Sequence, residues 1–186
     1  MRKLILQMQM TVDGFVGRLD GDVEWAFPTF DDAFNAWTVN SLWQAGVHVM
    51  GSVTGQGLAE YWPSPTLDER DKPFAEAMNQ IPKVVFSRSI DHLDWNKTRI
   101  AKGELVEEIE RLKAEPGKDI LVHGGARFAQ SLSKARLIDE YHLVTHPVVL
   151  GSGLSIFPEL DEPLRLALVE ARAFPAGAVL HIYRRA

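Results

Sequence analysis

The residues of this chain that could do chemistry gather where apolar runs stop at glycine. The run Asp119-Ile-Leu-Val-His123 is followed by Gly124 and Gly125, and then by Ala126, Arg127 and Phe128 at the head of an amphipathic segment. A glycine pair gives up backbone entropy that a simple turn need not lose twice. A helix start opened by glycine exposes unpaired N–H groups and the positive end of the helix dipole, so it can receive a phosphate at close range. The spacing is not G-x-G-x-x-G, and a tight strand-to-helix turn explains the pair equally well. A second glycine-bearing turn runs from Gly51 to Gly57, and a longer one from Gly14 to Gly21. Ser87 and Arg88 follow the apolar Val84-Val85-Phe86. An arginine fork there fits phosphate oxygens, those of a ribose 2′-phosphate included, or pairs with Asp91 or Asp94 in the next turn.

Acids form the second group. A carboxylate whose pKa is raised in an apolar pocket could deliver a proton or anchor a substrate. Asp13, beside Gly14 at a strand end, could touch substrate, hold its loop or simply form an Asp-Gly turn. Asp31 and Asp32 stand where a helix begins, a place the dipole favours for acids with no chemical role. Trp25, after the first long loop, and Glu60, Tyr61 and Trp62, which end another helix, are expected on the substrate side. No His-Glu-x-x-His motif occurs, and His142 and His146 are four apart in a strand, on one face but distant, so no metal site is expected. His123 is expected to pack or hydrogen-bond. No G-x-S-x-G nucleophile signature is present.

The elements that must position these groups follow from periodicity. Residues 3 to 12 alternate, with Leu4, Leu6, Met8, Met10 and Val12 on one side and Gln7, Gln9 and Thr11 on the other, which predicts a strand. The loop "DGFVGRLDGD" and Trp25 lead into a helix over 30 to 45. Strands are expected at 47–50, 83–87, 95–101, 119–123 and 140–149, and helices at 52–61, 71–79, 103–114 and 126–135. Runs 164–171 and 178–184 read as a hairpin around Pro175-Ala-Gly177. Strands alternating with helices predict an α/β fold: a single three-layer domain over residues 1–186, its sheet mixed but mostly parallel, with helices on both faces and a C-terminal antiparallel hairpin. In such sheets ligands bind at the carboxyl ends of the strands, where the three glycine turns fall.

Composition narrows the function classes. The chain has 186 residues, 46% of them hydrophobic, 20 Lys and Arg against 25 Asp and Glu, a net charge of -5 and no cysteine. No basic cluster dense enough for nucleic acid is visible, and no apolar run approaches a membrane span. Thiolate and cysteine-ligated metal chemistry are excluded, and the charged N-terminus is interrupted by glutamines too early for a signal peptide. A cytoplasmic protein acting on a small molecule is expected.

With these motifs in order, the chain resembles the dihydrofolate reductase fold family. It is most similar to the reductase (C-terminal) domain of bacterial bifunctional riboflavin-biosynthesis deaminase-reductases (RibD), as a stand-alone relative, over nearly its whole length. "TVDGFVGRLDGDVEW" resembles the family's loop over the nicotinamide, with Val16-Gly17, Asp20-Gly21 and Trp25 in matching order. "VMGSVTGQGL" resembles its strand-glycine-helix turn ending in Thr54, "VVFSR" its adenosine-side strand, and "LVHGGARFAQSL" its pyrophosphate turn. "LIDEYHLVTHPVVLGSG" matches the strand that follows.

The resemblance implies NADPH as hydride donor. Val16 and Gly17 would lie by the nicotinamide, and Gly51, Ser52 and Thr54 by the phosphates. Ser87 and Arg88 would face the 2′-phosphate, and Gly124, Gly125, Ala126, Arg127 and Phe128 the pyrophosphate, with the glycine pair joined by a cis peptide. Relatives carry arginine where Ser52 stands and an aromatic residue where Gly55 stands, so NADH is not excluded. In folate reductases an acid follows the loop tryptophan by five or six residues. That spacing from Trp25 selects Asp31 as proton donor, with Asp32 the neighbouring alternative. The implied reaction is reduction of a small heterocycle, such as 5-amino-6-(5-phosphoribosylamino)uracil or a pterin. The alternative is a nucleotide-binding or regulatory module that keeps the NADPH cleft without turnover. The family also implies a homodimer through the C-terminal strands.

Overall fold

The computed structural model describes residues 1–157, 160 and 162–186. Eight strands form one sheet: β1 (Leu4–Thr11), β2 (Ala45–Gly51), β3 (Lys83–Phe86), β4 (Thr98–Ala101), β5 (Asp119–Val122), β6 (Glu140–His146), β7 (Leu166–Ala173) and β8 (Val179–Arg185). Their order is β4-β3-β2-β5-β1-β6-β8-β7. Strands β1 to β6 run parallel, and β8 is antiparallel to both β6 and β7. Five helices connect them: α1 (Asp32–Gln44), α2 (Ser52–Tyr61), α3 (Lys72–Gln80), α4 (Leu105–Ala114) and α5 (Ala126–Lys134). The expected mixed, mostly parallel α/β sheet with a closing antiparallel hairpin is the observed one.

Alternation decides which helix covers which face. Leu4 and Leu6 of β1, Val47 and Val49 of β2, and Ile120 and Val122 of β5 pack with Ile109 and Leu112 of α4 and Ala129 and Leu132 of α5. On the opposite face Ile5, Met50, Val85 and Leu121 meet Leu42 of α1, Leu58 of α2 and Ala77 and Met78 of α3. Near the hairpin, Phe34 of α1 packs with Val144, Phe174 and Leu180. Side chains of successive strand residues point to opposite faces, so each central strand feeds both cores. Gln7 and Gln9 stand on the face of β1 that α1 and α2 cover, and there they reach a cleft.

Several boundaries differ from the periodic reading, each for a local reason. The expected 30–45 helix is α1, which starts at Asp32, and a 3₁₀ turn over Glu24–Thr29 containing Pro28 precedes it. α1 starts late because Asp31 is extended and caps it, its carboxylate accepting from the Phe34 amide at 2.8 Å. α1 runs straight into β2, Gln44 being followed directly by Ala45. β4 starts at Thr98 because Lys97 just before it has φ +55°, and β6 stops at His146, ahead of Pro147. The long loop after β1 is pinned by an antiparallel bridge between Gly17 and Leu154, with Val16 N donating to Leu154 O and Leu154 N to Gly17 O, both at 2.8 Å. A Cβ on Gly153 would lie 2.4 Å from Gly17 O, so only glycine permits this approach.

Lys83, at the start of β3, is 1% exposed. Its ammonium donates to the carbonyls of Met78 at 2.7 Å and Ile81 at 2.9 Å, closing the end of α3, and it sits 4.5 Å from the centre of the Trp95 ring. Burial pushes its pKa down to about 8. Lys83→Met removes the donor and leaves those carbonyls buried without a partner. It should lower the unfolding free energy by about 2 to 3 kcal/mol in urea titration.

Candidate functional site

Neighbouring parallel strands β2 and β5 both run into glycine before a helix: β2 ends at Gly51, directly before α2, and β5 ends at Val122, with His123, Gly124 and Gly125 leading into α5. Gly51 is the N-cap of α2 and Gly125 that of α5, and neither helix start is capped by a side chain. The two turns touch through backbone alone, Gly51 N donating to Gly124 O at 3.4 Å. A Cβ on Gly51 would stand 3.2 Å from Cβ of Phe128; on Gly125, 3.0 Å from Oγ1 of Thr54; on Gly124, 2.9 Å from Sδ of Met8. Gly124 also has φ +78°, and the Gly124–Gly125 peptide is cis, as the family pattern implied. Two helix N-termini therefore open side by side at the carboxyl edge of the sheet, an arrangement that attracts anionic oxygens. Gly55 has a separate reason to be glycine: its Cβ would come within 3.0 Å of Val85, so an aromatic residue has no room there.

On one side of this edge lies a cleft of about 320 Å³, with Ser52, Ser87, Arg88, Phe128 and Ser131 among its walls. Ser87 Oγ accepts from the amides of Ser89 at 3.1 Å and Ile90 at 3.2 Å, so it shapes the turn as well as lining the cleft. Arg88 reaches Glu104 at 3.2 Å, with both side chains largely exposed. The partner is neither Asp91, which pairs with Lys102, nor Asp94. An exposed pair of this kind contributes below about 1 kcal/mol, leaving the guanidinium free to be recruited by a stronger anion. Arg127 is exposed on the first turn of α5.

On the other side is a second cleft of about 260 Å³, running under α1, α2 and α3 from Val16 to His123. Its polar lining is Gln7, Gln9, Thr38, Trp62 and His123; the rest is apolar, with Phe27, Phe30 and Phe74 as aromatic walls. Ser41 Oγ donates to Gln7 Oε1 at 2.6 Å, and His146 Nε2 meets Gln9 Oε1 at 2.7 Å. Thr29 holds Nδ1 of the same ring, and Trp25, Phe30 and Phe34 surround it at centroid distances of 5.7, 5.9 and 6.2 Å. His146 thus rivets the 3₁₀ turn to the sheet beneath the cleft. Trp62 Nε1 and His123 Nε2 are buried without a protein partner. Burial, reinforced by neighbouring His48 whose ring centre is 4.6 Å away, holds the His123 pKa well below its ordinary value and the ring neutral.

The expected acids are elsewhere. Asp31 accepts from the Phe34 amide and, at 2.7 Å, from Ala176 N in the β7–β8 turn, and these hydrogen bonds lower its pKa rather than raise it. It ties α1 to the hairpin and does not line the cleft. Asp13 accepts from Thr11 Oγ1 and from the amides of Leu150 and Gly151, which likewise lower its pKa; it holds the loop. Glu60 is exposed. Tyr61 donates to Asp71 at 2.7 Å, which raises its pKa to about 12, and faces outward. Trp25 packs on His146 and donates to Asp22 O. Of the residues expected on the substrate side, Trp62 alone lines the cleft, beside Val16 from the nicotinamide group. Gln7, Gln9 and Thr38 were not singled out. Their one signal was polarity on an inward strand face and on a helix, which solvent exposure explains just as readily.

The family model described as RibD C-terminal domain matches residues 2–180. The chain belongs to that family. Over 182 residues it is 31% identical to protein YyaP of Bacillus subtilis (strain 168), covering 98% of this chain and 94% of that one. A Shewanella sp. PV-4 structure named for riboflavin biosynthesis superposes with TM-score 0.77 at 22% identity, over 99% of each chain. Dihydrofolate reductase from Enterococcus faecalis, complexed with NADP(H), gives 0.64 at 15% identity, over 98% of this chain and 96% of that one. These two structures share the fold. No helix among the described residues is long and apolar enough to cross a membrane.

Two outcomes are expected. Asp31→Ala should lower the melting temperature while changing kcat per folded molecule less than about twofold, and Asp31→Asn should retain most of the stability, as a capping residue does. Burial pushes His48 and His146 down to about 4 from the ordinary 6.5. Between those values the unfolded chain binds more protons, so stability falls as pH drops through the window. Urea unfolding should show a loss of about 2 kcal/mol per ring between roughly pH 7 and pH 4.5, and His146→Gln should flatten the slope.

Proposed function

We propose that the chain is a reductase that takes NADPH along the edge between α2 and α5 and reduces a small heterocycle in the neighbouring cleft. The observation that carries this reading is the pair of uncapped, glycine-opened helix starts meeting between two clefts, in a RibD C-terminal family chain. When bound, NADPH supplies a hydride to an electrophilic carbon of the substrate, and one proton from water completes the reduction.

The chain's own residues bind, orient and exclude. The amides following Gly51 and Gly125, with Ser52, Thr54, Ala126 and Phe128 around them, hold the pyrophosphate. Ser87 and Arg88 hold the adenosine end, Arg88 exchanging Glu104 for the 2′-phosphate, and Arg127 adds positive charge from the rim. Val16 and Gly17, fixed by the bridge to Leu154, bring the loop over the nicotinamide. Thr38 and the two glutamines orient the substrate. With no carboxylate in the cleft lining among the described residues, the proton is delivered through solvent at the cleft mouth. The same lack favours the second reading, a nucleotide-binding module without turnover. Two chains pairing through the C-terminal strands belong to the proposal as well, supported by exposed Leu168 and Val169 on edge strand β7.

Fluorescence titration with NADPH and NADH, followed by cofactor oxidation with pyrimidine and pterin substrates, tests the reading. Tight binding with turnover is expected; binding with none marks the module. Arg88→Ala should weaken NADPH about tenfold and NADH less than about twofold. Equal losses would remove Arg88 from the 2′-phosphate.

A further inference from the structure

The cleft between β1, α1 and α2 has an electrical character of its own. Among the described residues that line it there is no Asp, Glu, Lys or Arg. Its single titratable group, His123, stays neutral. The sequence around lining residue Val23 is acidic, with Asp22 and Glu24 on either side and Asp20 close by, and Arg18 is 3.1 Å from Asp22. The adenosine-side cleft, by contrast, has Arg88 and three serines. A phosphate or carboxylate entering the neutral cleft would lose its hydration and find no cation in the described lining, an outcome proteins avoid.

The neutral cleft still has directed polarity. Gln7 and Gln9 are two residues apart on β1, so their side chains share a face about 7 Å apart along the strand. Ser41 and His146 occupy the carbonyl oxygen of each amide. That fixes the amides with their NH2 groups as the ends left to meet a ligand. Trp62 Nε1 adds a third N–H donor, buried and without a protein partner. Phe74 stacks on Trp62, the planes 14° apart, and with Phe27 and Phe30 bounds a space suited to a flat ring. Donors facing inward from aromatic walls select a planar molecule rich in acceptors.

Resting on the reductase reading, we infer that the substrate is an uncharged, unphosphorylated planar heterocycle whose carbonyl oxygens or ring nitrogens accept from Gln7, Gln9 and Trp62. Phosphoribosylated pyrimidines are thereby excluded as the working substrate.

The test is isothermal titration of the full chain with three probes, each with and without saturating NADPH: free diaminouracil, pterin, and 5-amino-6-(5-phosphoribosylamino)uracil. At least one uncharged probe should bind at least tenfold more tightly than the phosphorylated one. Equal or tighter binding of the phosphorylated probe overturns the inference, and so does failure of both uncharged probes to bind. Gln7→Leu and Gln9→Leu should each weaken the uncharged probe about tenfold while leaving NADPH affinity within twofold. Near-isosteric Gln9→Glu, chosen in case the leucine variants misfold, should do the same. Glutamine variants that bind the uncharged probe as the parent does overturn the inference. Uncharged probes that bind to a chain with no affinity for NADPH would sink the reductase reading and leave the cleft's selectivity standing.

Discussion

The whole site depends on how closely two strand ends can approach. β2 and β5 are neighbours, and each must turn into a helix at the same level of the sheet. With a side chain at Gly51, Gly124 or Gly125, Phe128, Met8 or Thr54 would have to shift, and the two helix starts would separate. Their absence lets backbone touch backbone, so two sets of unpaired amides share one small region. The clefts to either side take their positions from that contact: Ser52 and Phe128 wall one, and Met8 and His123 border the other.

These clefts divide the labour by charge. The cleft beside Ser87 offers an arginine, Arg88, whose present partner is another surface side chain, a pairing that costs little to exchange. The inner cleft carries its polarity as fixed dipoles: two carboxamides oriented by Ser41 and His146, one indole and one neutral imidazole. Fixed dipoles discriminate by geometry and cost little reorganisation when a ligand arrives. Charges stand outside, at the loop that Asp13 and the Gly17–Leu154 bridge hold in place.

How much of this was legible in the sequence depended on whether a residue's role is local. The strand-glycine-helix turns could be read because each needs only a few consecutive residues, and five such motifs in order sufficed to suggest the family. Asp31 misled because a helix-capping aspartate and a catalytic one have the same sequence context; only the Ala176 amide, supplied from 145 residues along the chain, separates them. Gln7 and Gln9 looked like the solvent side of an amphipathic strand. β1 is covered on both faces, so polarity there marks a cavity, and no single-strand pattern can tell water from a cavity. His146 was weighed as a metal ligand, whereas it clamps the 3₁₀ turn Glu24–Thr29, a stretch that in the sequence reads only as the lead into the next helix.

The seamless junction of α1 and β2 has an evolutionary side. A helix advances about 100° per residue and a strand reverses its face with each residue. One residue gained or lost at Gln44–Ala45 would therefore swing Thr38 and Leu42 away from the cavity or invert both cores beneath β2. Residues added between α2 and α3 would leave that coupling intact, whereas the spacing from Asp31 to Gly51 sets it. Variation in ligand choice must then come by exchanging side chains within that ruler, never by changing its length.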